Sequence, residues 1–565
     1  MKRILAATIA AVFVLAGCTK TETTTNGGQV GSTAAPSNGA AQTASGPVTT
    51  RVNSWTQPHV LRYSTAADIS SLNPHLAQQT DVGLLSSLTM AWLIKWDVNN
   101  NAVPELATEV PTPENGGVSK DGLTITYHLR KGVKWSDGAP FNADDVVFST
   151  HAVLNPANNE VSRLGWDRIA KIDEPDKYTV VFHLSKPYSP FVETFFSSAG
   201  ANPCILPKHI LGSLPNINTA PYNSLPVGIG PFKYQRWDRA SRVVMVANPL
   251  YFRGMPKLKK IEFVIIPDRN TVLTQLQAKG LDLWYPVPGN YYARAKAIPG
   301  FTIVRIPAYY FNHLDFNTSR PALRDVRVRQ ALELAIDRKT LFHKVAHDIG
   351  YLQEEPASHT APYWDPTIKF VDFDIAKANA LLDQAGWVRG AGGIRSKNGV
   401  QLALQVASSS GTPDTNLQIE LIRSWWRQIG VSLSLKVYPA PLLFAPLENG
   451  GIVYGGKWDV IFFAWGLDPL GDFSTIYGCD SIPPKGQNDI RWCNQKANRA
   501  MLSLYTHYEQ ADRNKDDAIV QEQLAADVPM VVTTGREDIY VVNKDLRNFQ
   551  PNAVAPFDNF MNVDI

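Results

Sequence analysis

Residues 401–437, QLALQVASSSGTPDTNLQIELIRSWWRQIGVSLSLKV, change period twice. Leu402, Leu404 and Val406 alternate with other residues, the two-residue period of a strand. Leu417, Leu421, Trp425 and Ile429 then recur at helical spacing, Gly430 ends the helix, and Val431, Leu433, Leu435 and Val437 return to alternation. Strand, helix, strand is the unit of a parallel sheet, because parallel neighbours need a long crossover, which is right-handed and covers one face. Val460 to Phe463 is an uninterrupted apolar run, as expected of a central strand in such a sheet. The fold class is therefore α/β.

Working outward, other local signals agree. In DGLTITYHLRKGVKWSDGAPFNADDVVFS (121–149), Leu123, Ile125, Tyr127 and Leu129 alternate as a half-buried strand, and Asn142 is placed to cap a helix through Val146, Val147 and Val153. Asp325 caps a helix with Val328, Ala331, Leu332 and Ala335 on one face, and Asp337 starts another. A helix from Asp374 to Ala385 is closed by Gly386 as a left-handed residue, and Asn398-Gly399 is a hairpin turn.

The chain has 565 residues, too many for one core, so about two to four domains are expected. With 54 Lys plus Arg against 51 Asp plus Glu, the net charge is +3, and no basic stripe offers nucleic acid a footprint. Lys2 and Arg3 precede the apolar run Ile4 to Val14, which is too short to span a bilayer and fits the core of a signal peptide. The chain is thus read as exported.

Leu15-Ala16-Gly17-Cys18 resembles the bacterial lipobox, which implies removal of residues 1–17 and acylation of Cys18 as the membrane anchor; an ordinary secretory signal is the alternative. The Thr, Ser, Gly and Ala-rich stretch that follows, to residue 54, has the composition of a flexible tether. Of the three remaining cysteines, Cys479 and Cys493 lie close together and are expected to form a disulfide. Cys204, in NPCILP, reads as a small buried hydrophobe.

Catalytic patterns are sparse. His343 and His347 have the i, i+4 spacing that grips a metal on a helix face, but the base of the zinc-protease motif is replaced by Lys344. The adjacent acids Asp144-Asp145 and Asp516-Asp517 point apart on a helix and read as terminus or surface charges. No G-x-S-x-G, Walker loop or zinc-spaced Cys/His cluster is present in the sequence.

Several long blocks resemble the extracytoplasmic solute-binding proteins of ATP-driven importers, in the peptide and nickel family (family 5). They are SLNPHLAQQ (71–79), PELATEVP (104–111), the 121–149 block, ILPKHIL (205–211), PVGIGPFKY (226–234), LDFNTSRPALRDVRVRQALELAIDR (314–338) and KANALLDQAGW (377–387). The resemblance implies a two-lobed clamp of the periplasmic-binding-protein type II kind with an additional inserted domain. It implies domain I at 55–98, 224–309 and 526–565, domain II at 99–223 and domain III at 310–525. On this mapping Trp135 and Asp137 are core and turn, and Pro226 to Pro231 is a tight re-entry turn.

The resemblance also places a ligand cleft. Relatives hold the ligand's free amine with an aspartate three residues before the acid of an acid-proline pair; here the pair is Asp468-Pro469, and that position is Trp465. A buried ammonium without a counter-charge is costly, so the indole points away from a free peptide N-terminus as the bound group. Matching positions expects Gln78, Thr80, Trp166, Trp284, Tyr285, Phe463, Trp465 and Asp468 at the ligand, with Asp468 also suited to capping a helix.

The implied function is capture rather than conversion: a lipid-anchored, monomeric receptor that closes on a peptide or peptide-like solute and delivers it to a permease and its ATPase, with no cofactor. An oligosaccharide or other non-peptide ligand, and a sensor role, are alternatives. An exported hydrolase using a His343/His347 metal is the alternative of another class.

Overall fold

The computed structural model describes residues 52–65, 69–77, 79–163, 165–198, 203–409, 413–445, 447, 450–467 and 470–565, all within one unit, Gly46–Ile565. Cys18, Gln78 and Asp468 lie outside the described residues.

One ten-stranded sheet organises the protein. Its strands are β1 (Val60–Thr65), β2 (Phe232–Asp238), β3 (Arg242–Ala247), β4 (Lys260–Ile265), β5 (Leu283–Trp284), β6 (Phe301–Phe316), β7 (Ala403–Ser409), β8 (Ser432–Tyr438), β9 (Val460–Gly466) and β10 (Met530–Asn543). They lie in the order β8-β7-β9-β6-β10-β5-β1-β4-β3-β2. β7 is parallel to β8 and β9, and β1 is parallel to β4 and β5. The 401–437 reading therefore holds, with the helix Pro413–Gln428 as the crossover. Ile419, Ile422, Trp425 and Trp426 of the helix and Ile429 just beyond its end are buried, and Leu421 packs partly buried against the same core, whereas Leu417 is exposed.

β6 and β10 are the long strands, and each serves both halves of the sheet. Residues 301–307 of β6 pair with 537–543 of β10, while 311–315 pair with 530–535 and 310–316 with β9. The β6–β10 register breaks between Pro307 and Phe311 and again between Asn312 and His313. Such an irregularity bends a strand locally, so both crossing strands are weakened as a rigid splint at the same level.

A separate antiparallel sheet of Thr124–His128, Thr179–Leu184 and Ile169–Asp176 builds its own core with the helix Ala143–Leu154. That core also takes in Ala91, Leu93, Ile94 and Ile229, which attaches this layer to the β1–β5 half. Gly228 and Gly230 make the attachment close: a Cβ on Gly228 would sit 1.9 Å from the Thr89 carbonyl oxygen. The Pro226–Pro231 stretch is thus a re-entry turn pressed against backbone.

Local capping chemistry sets the helix starts. Asn142 forms a capping box with Asp145, and Asp325, Asp337 and Asp374 each accept a backbone N–H of the first turn. Asn398 and Gly399 both have positive φ in the turn joining 395–397 to 400–401. Trp135 is fully buried and Asp137 accepts from the Ala139 N–H.

Three of the acids read as surface charges, Asp145, Asp516 and Asp517, are buried instead. Asp145 accepts from Asn142 N, Lys208 N and Trp135 Nε1, joining three segments through one carboxylate, and Asp517 is enclosed beside the Gly471 turn. Tertiary packing brought the Lys208 N–H to a carboxylate that helical spacing alone assigned to solvent.

Candidate functional site

β9 ends in Phe463, Ala464, Trp465 and Gly466, and burial falls along it: Phe463 is buried, whereas residues 464–466 are half-buried. Phe463 and Trp465 are two apart and so share a face of the strand. Their rings meet edge-on at 5.3 Å, and Phe463 meets His313 at 4.4 Å and Phe444 at 5.6 Å. Across the ladder, His313 lies opposite Phe463 and Phe311 opposite Trp465. The result is a run of rings from a buried histidine out to a half-buried indole.

His313 was not singled out by sequence. Its Nδ1 is 2.7 Å from Asp315 Oδ1, both side chains are buried, and its Nε2 is buried without a protein partner. Tyr310, 54% exposed, was missed as well; its ring covers Gly466, where a Cβ would come within 2.8 Å, and Arg536 lies 6.0 Å above it. The signal was present in PAYYFN, since alternation buries Tyr309 and turns Tyr310 outward, but only the pairing of β6 with β9 puts Tyr310 opposite Gly466.

The other expected positions are dispersed. Thr80 is exposed at the start of the helix Thr80–Thr89. Trp284 is 3% exposed in a core with Val272, Leu276 and Val541, edge-on to Tyr291. Tyr285 is buried and stacked on Tyr540, rings 4.3 Å apart and 10° from parallel, with Asp538 at its hydroxyl. Burial pushes the Asp538 carboxyl up to about 6. Trp166 is walled in by Phe195 at 4.6 Å and Phe196 at 5.1 Å within the core of the separate sheet. Of the expected aromatic residues, Phe463 and Trp465 are the two that meet on one face of β9, while the unforeseen Tyr310, opposite Gly466, lies on the other face at the strand end.

His343 and His347 do not share a helix face. The helix Arg338–Lys344 stops short of His347, which has a left-handed backbone, and His343 pairs with Asp348. Among the described residues no three His, Cys, Asp or Glu side chains are grouped to hold a metal ion. Cys479 and Cys493 are joined in a disulfide, and Cys204 is free and buried. No helix among the described residues is long and apolar enough to cross a membrane.

With the geometry in view, the comparisons are specific. A family model described as bacterial extracellular solute-binding proteins, family 5 (middle), matches residues 101–484. Oligopeptide-binding protein AppA of Bacillus subtilis is 25% identical over 452 residues, 79% of this chain and 80% of that protein. The dipeptide-binding protein of Escherichia coli is 27% identical over 402 residues, 67% of this chain and 72% of that one. The solved structure of NikZ from Campylobacter jejuni in complex with Ni(L-His) aligns at 25% identity with a TM-score of 0.73, covering 90% of this chain and 100% of the other.

Proposed function

Because the chain belongs to the bacterial extracellular solute-binding proteins of family 5, we propose that it captures a peptide or peptide-like solute between two closing lobes and hands it unaltered to the permease of an ATP-driven importer. The fold is the two-lobed clamp of that family. The relatives' names cover an oligopeptide, a dipeptide and a nickel complex of histidine, so ligand chemistry varies on one scaffold. We take domain I as 55–98, 224–309 and 526–565, domain II as 99–223 and domain III as 310–525.

The observation that carries the reading is the pair of crossing strands, β6 and β10, irregular in register between Pro307 and His313 and flanked there by the Phe463 and Trp465 rings on one face and by Tyr310 on the other. Bending at that level swings the two halves of the sheet about the aromatic edge, and a guest seated on it stabilises the closed form by its differential affinity for that form. No acid stands at position 465, so stacking rather than charge pairing with an amine holds the guest. The same absence favours a second reading, an oligosaccharide stacked on Trp465.

Gln78, Thr80, Trp166, Trp284, Tyr285 and Asp468 are proposed as outer or supporting positions of the same cleft. Cys18 is proposed as the acylated anchor and residues 18–54 as the tether, with the receptor working as a monomer at the outer face of the membrane. Mass spectrometry of the guest that co-purifies, followed by thermal unfolding with that guest added, tests the reading. At 100 times its dissociation constant a true guest adds about 2.7 kcal/mol, and turnover of the guest would refute a pure receptor.

A further inference from the structure

We propose that Phe444 forms an apolar subsite beside Trp465, which selects guests carrying a bulky uncharged side chain, aromatic or aliphatic, next to the group stacked on the indole. The inference rests on the peptide reading above and names the class of peptide chosen.

The place of the subsite follows from how the chain winds through the sheet. The helix Pro413–Gln428 carries the chain from β7 to β8 over one face, where its Trp426 shares a core with Val460 and Phe462 of β9. The segment from β8 to β9 returns over the opposite face, where Leu443 and Val453 share a core with Ile461 and Phe463. β8 lies on one side of β7 and β9 on the other, all three parallel, so the direction of winding reverses between β7 and β9. At such a reversal the two connections diverge and leave a crevice outside the carboxyl ends of the strands, the general seat of a ligand in a parallel sheet. β7 ends there at Ser409 and β9 at Gly466, one residue beyond Trp465.

Phe444 stands in the returning segment. Its ring is edge-on to Phe463 at 5.6 Å, and Phe463 is edge-on to Trp465 at 5.3 Å, so the three rings make one continuous apolar wall. Phe444 is nonetheless 41% exposed, and Leu442 and Leu447 of the same segment are exposed as well. Clustered apolar surface left open beside a ligand crevice marks a contact waiting for an apolar partner.

The chemistry of that partner follows from what surrounds the ring. Residues 437–447, VYPAPLLFAPL, contain no charged side chain, and Lys436, with its ammonium 5.1 Å from the Tyr438 ring centre, marks the near end of the stretch. A charged group of the guest laid on Phe444 would lose its water and gain no counter-charge from this segment. An apolar group gives up nothing polar and takes the exposed ring out of water. Phe444 thereby discriminates among guests that Trp465 would stack alike.

Protein freed of guests by unfolding and refolding, then mixed with a library of acetylated random pentapeptides, tests the assignment when the retained peptides are sequenced by mass spectrometry. Bulky apolar residues are expected to be enriched about tenfold at two positions of the retained peptides, the discrimination that a hydrophobic pocket ordinarily gives. Phe444→Asp is expected to abolish the enrichment at one of those positions and keep it at the other, whereas Trp465→Ala does the converse. Phe444→Leu, still apolar, is expected to keep both. Should Phe444→Asp fail to fold by circular dichroism, Phe444→Ser reads the same loss.

An identical peptide profile in Phe444→Asp and parent would overturn the subsite and leave the exposed ring to a protein partner. Peptides retained by the parent without apolar preference would overturn it too, while sparing the peptide reading. If the parent retains no peptide, the peptide reading is lost and the subsite with it.

Discussion

Gly535 and Tyr351 exchange two backbone hydrogen bonds, Gly535 N–H to Tyr351 O at 2.9 Å and Tyr351 N–H to Gly535 O at 3.2 Å. This ties the 350–355 segment to β10 where β10 passes from one half of the sheet to the other. The approach leaves no room for a side chain. A Cβ at 535 would lie 2.3 Å from Gln353 Oε1 and 2.3 Å from the Tyr351 ring.

Gly535→Ala is accordingly expected to destabilise the protein by about 1–3 kcal/mol, the usual range for overpacking a close contact. Urea unfolding checks it. An unchanged midpoint would show that the 350–355 segment is free to shift, and would remove it as a clamp on the crossing strands.

Trp465 is half-buried at the end of β9, with one edge against Phe463. Trp465→Ala is expected to weaken guest binding about tenfold, the equivalent of about 1.4 kcal/mol of lost stacking, with little loss of unfolding stability. Titration calorimetry with the co-purified guest, set beside thermal unfolding of the free protein, separates the two. Equal losses in both would assign the indole to the core.

Glu355 is 3% exposed, and neither carboxyl oxygen has a hydrogen-bond partner. Burial, reinforced by the nearby Asp365, pushes its carboxyl up to about 9 from the ordinary 4.5. The folded-state value lies above the unfolded one, so this group's contribution to stability is fully present below pH 4.5 and is lost as pH rises toward 9. Glu355→Gln, which keeps the shape and cannot ionise, is expected to flatten that slope and to exceed the parent by about 3 kcal/mol at pH 7. Urea midpoints at acid, neutral and alkaline pH measure it; parallel curves for the two proteins would contradict the assignment.

The Cys479–Cys493 disulfide closes a loop spanning a sequence separation of 14. Replacing both cysteines by serine is expected to cost about 3 kcal/mol, chiefly by freeing the unfolded chain. Thermal unfolding of the double variant against the oxidised parent tests this, and coincident midpoints would show that the surrounding packing already holds the loop.

What was readable from the chain alone was local. Asn142, Asp325, Asp337 and Asp374 cap helices because each side chain satisfies an N–H two or three residues away, and Asn398-Gly399 turns because both residues tolerate positive φ. Each of those bonds closes within a few residues, so no distant segment can alter it. The 401–437 stretch was legible for the same reason, although Leu417 shows that which helical face turns inward is decided by the partner.

What only the tertiary structure decided was which aromatic and acidic side chains meet. Trp166, Trp284 and Tyr285 are packed against Phe195, Val272 and Tyr540, neighbours that no local pattern announces. The sequence around His313 does not announce its ring contact, because Phe463 is brought to it by a strand far away in the chain. Periodicity in a sequence reports that a face is buried; what buries it depends on long-range packing.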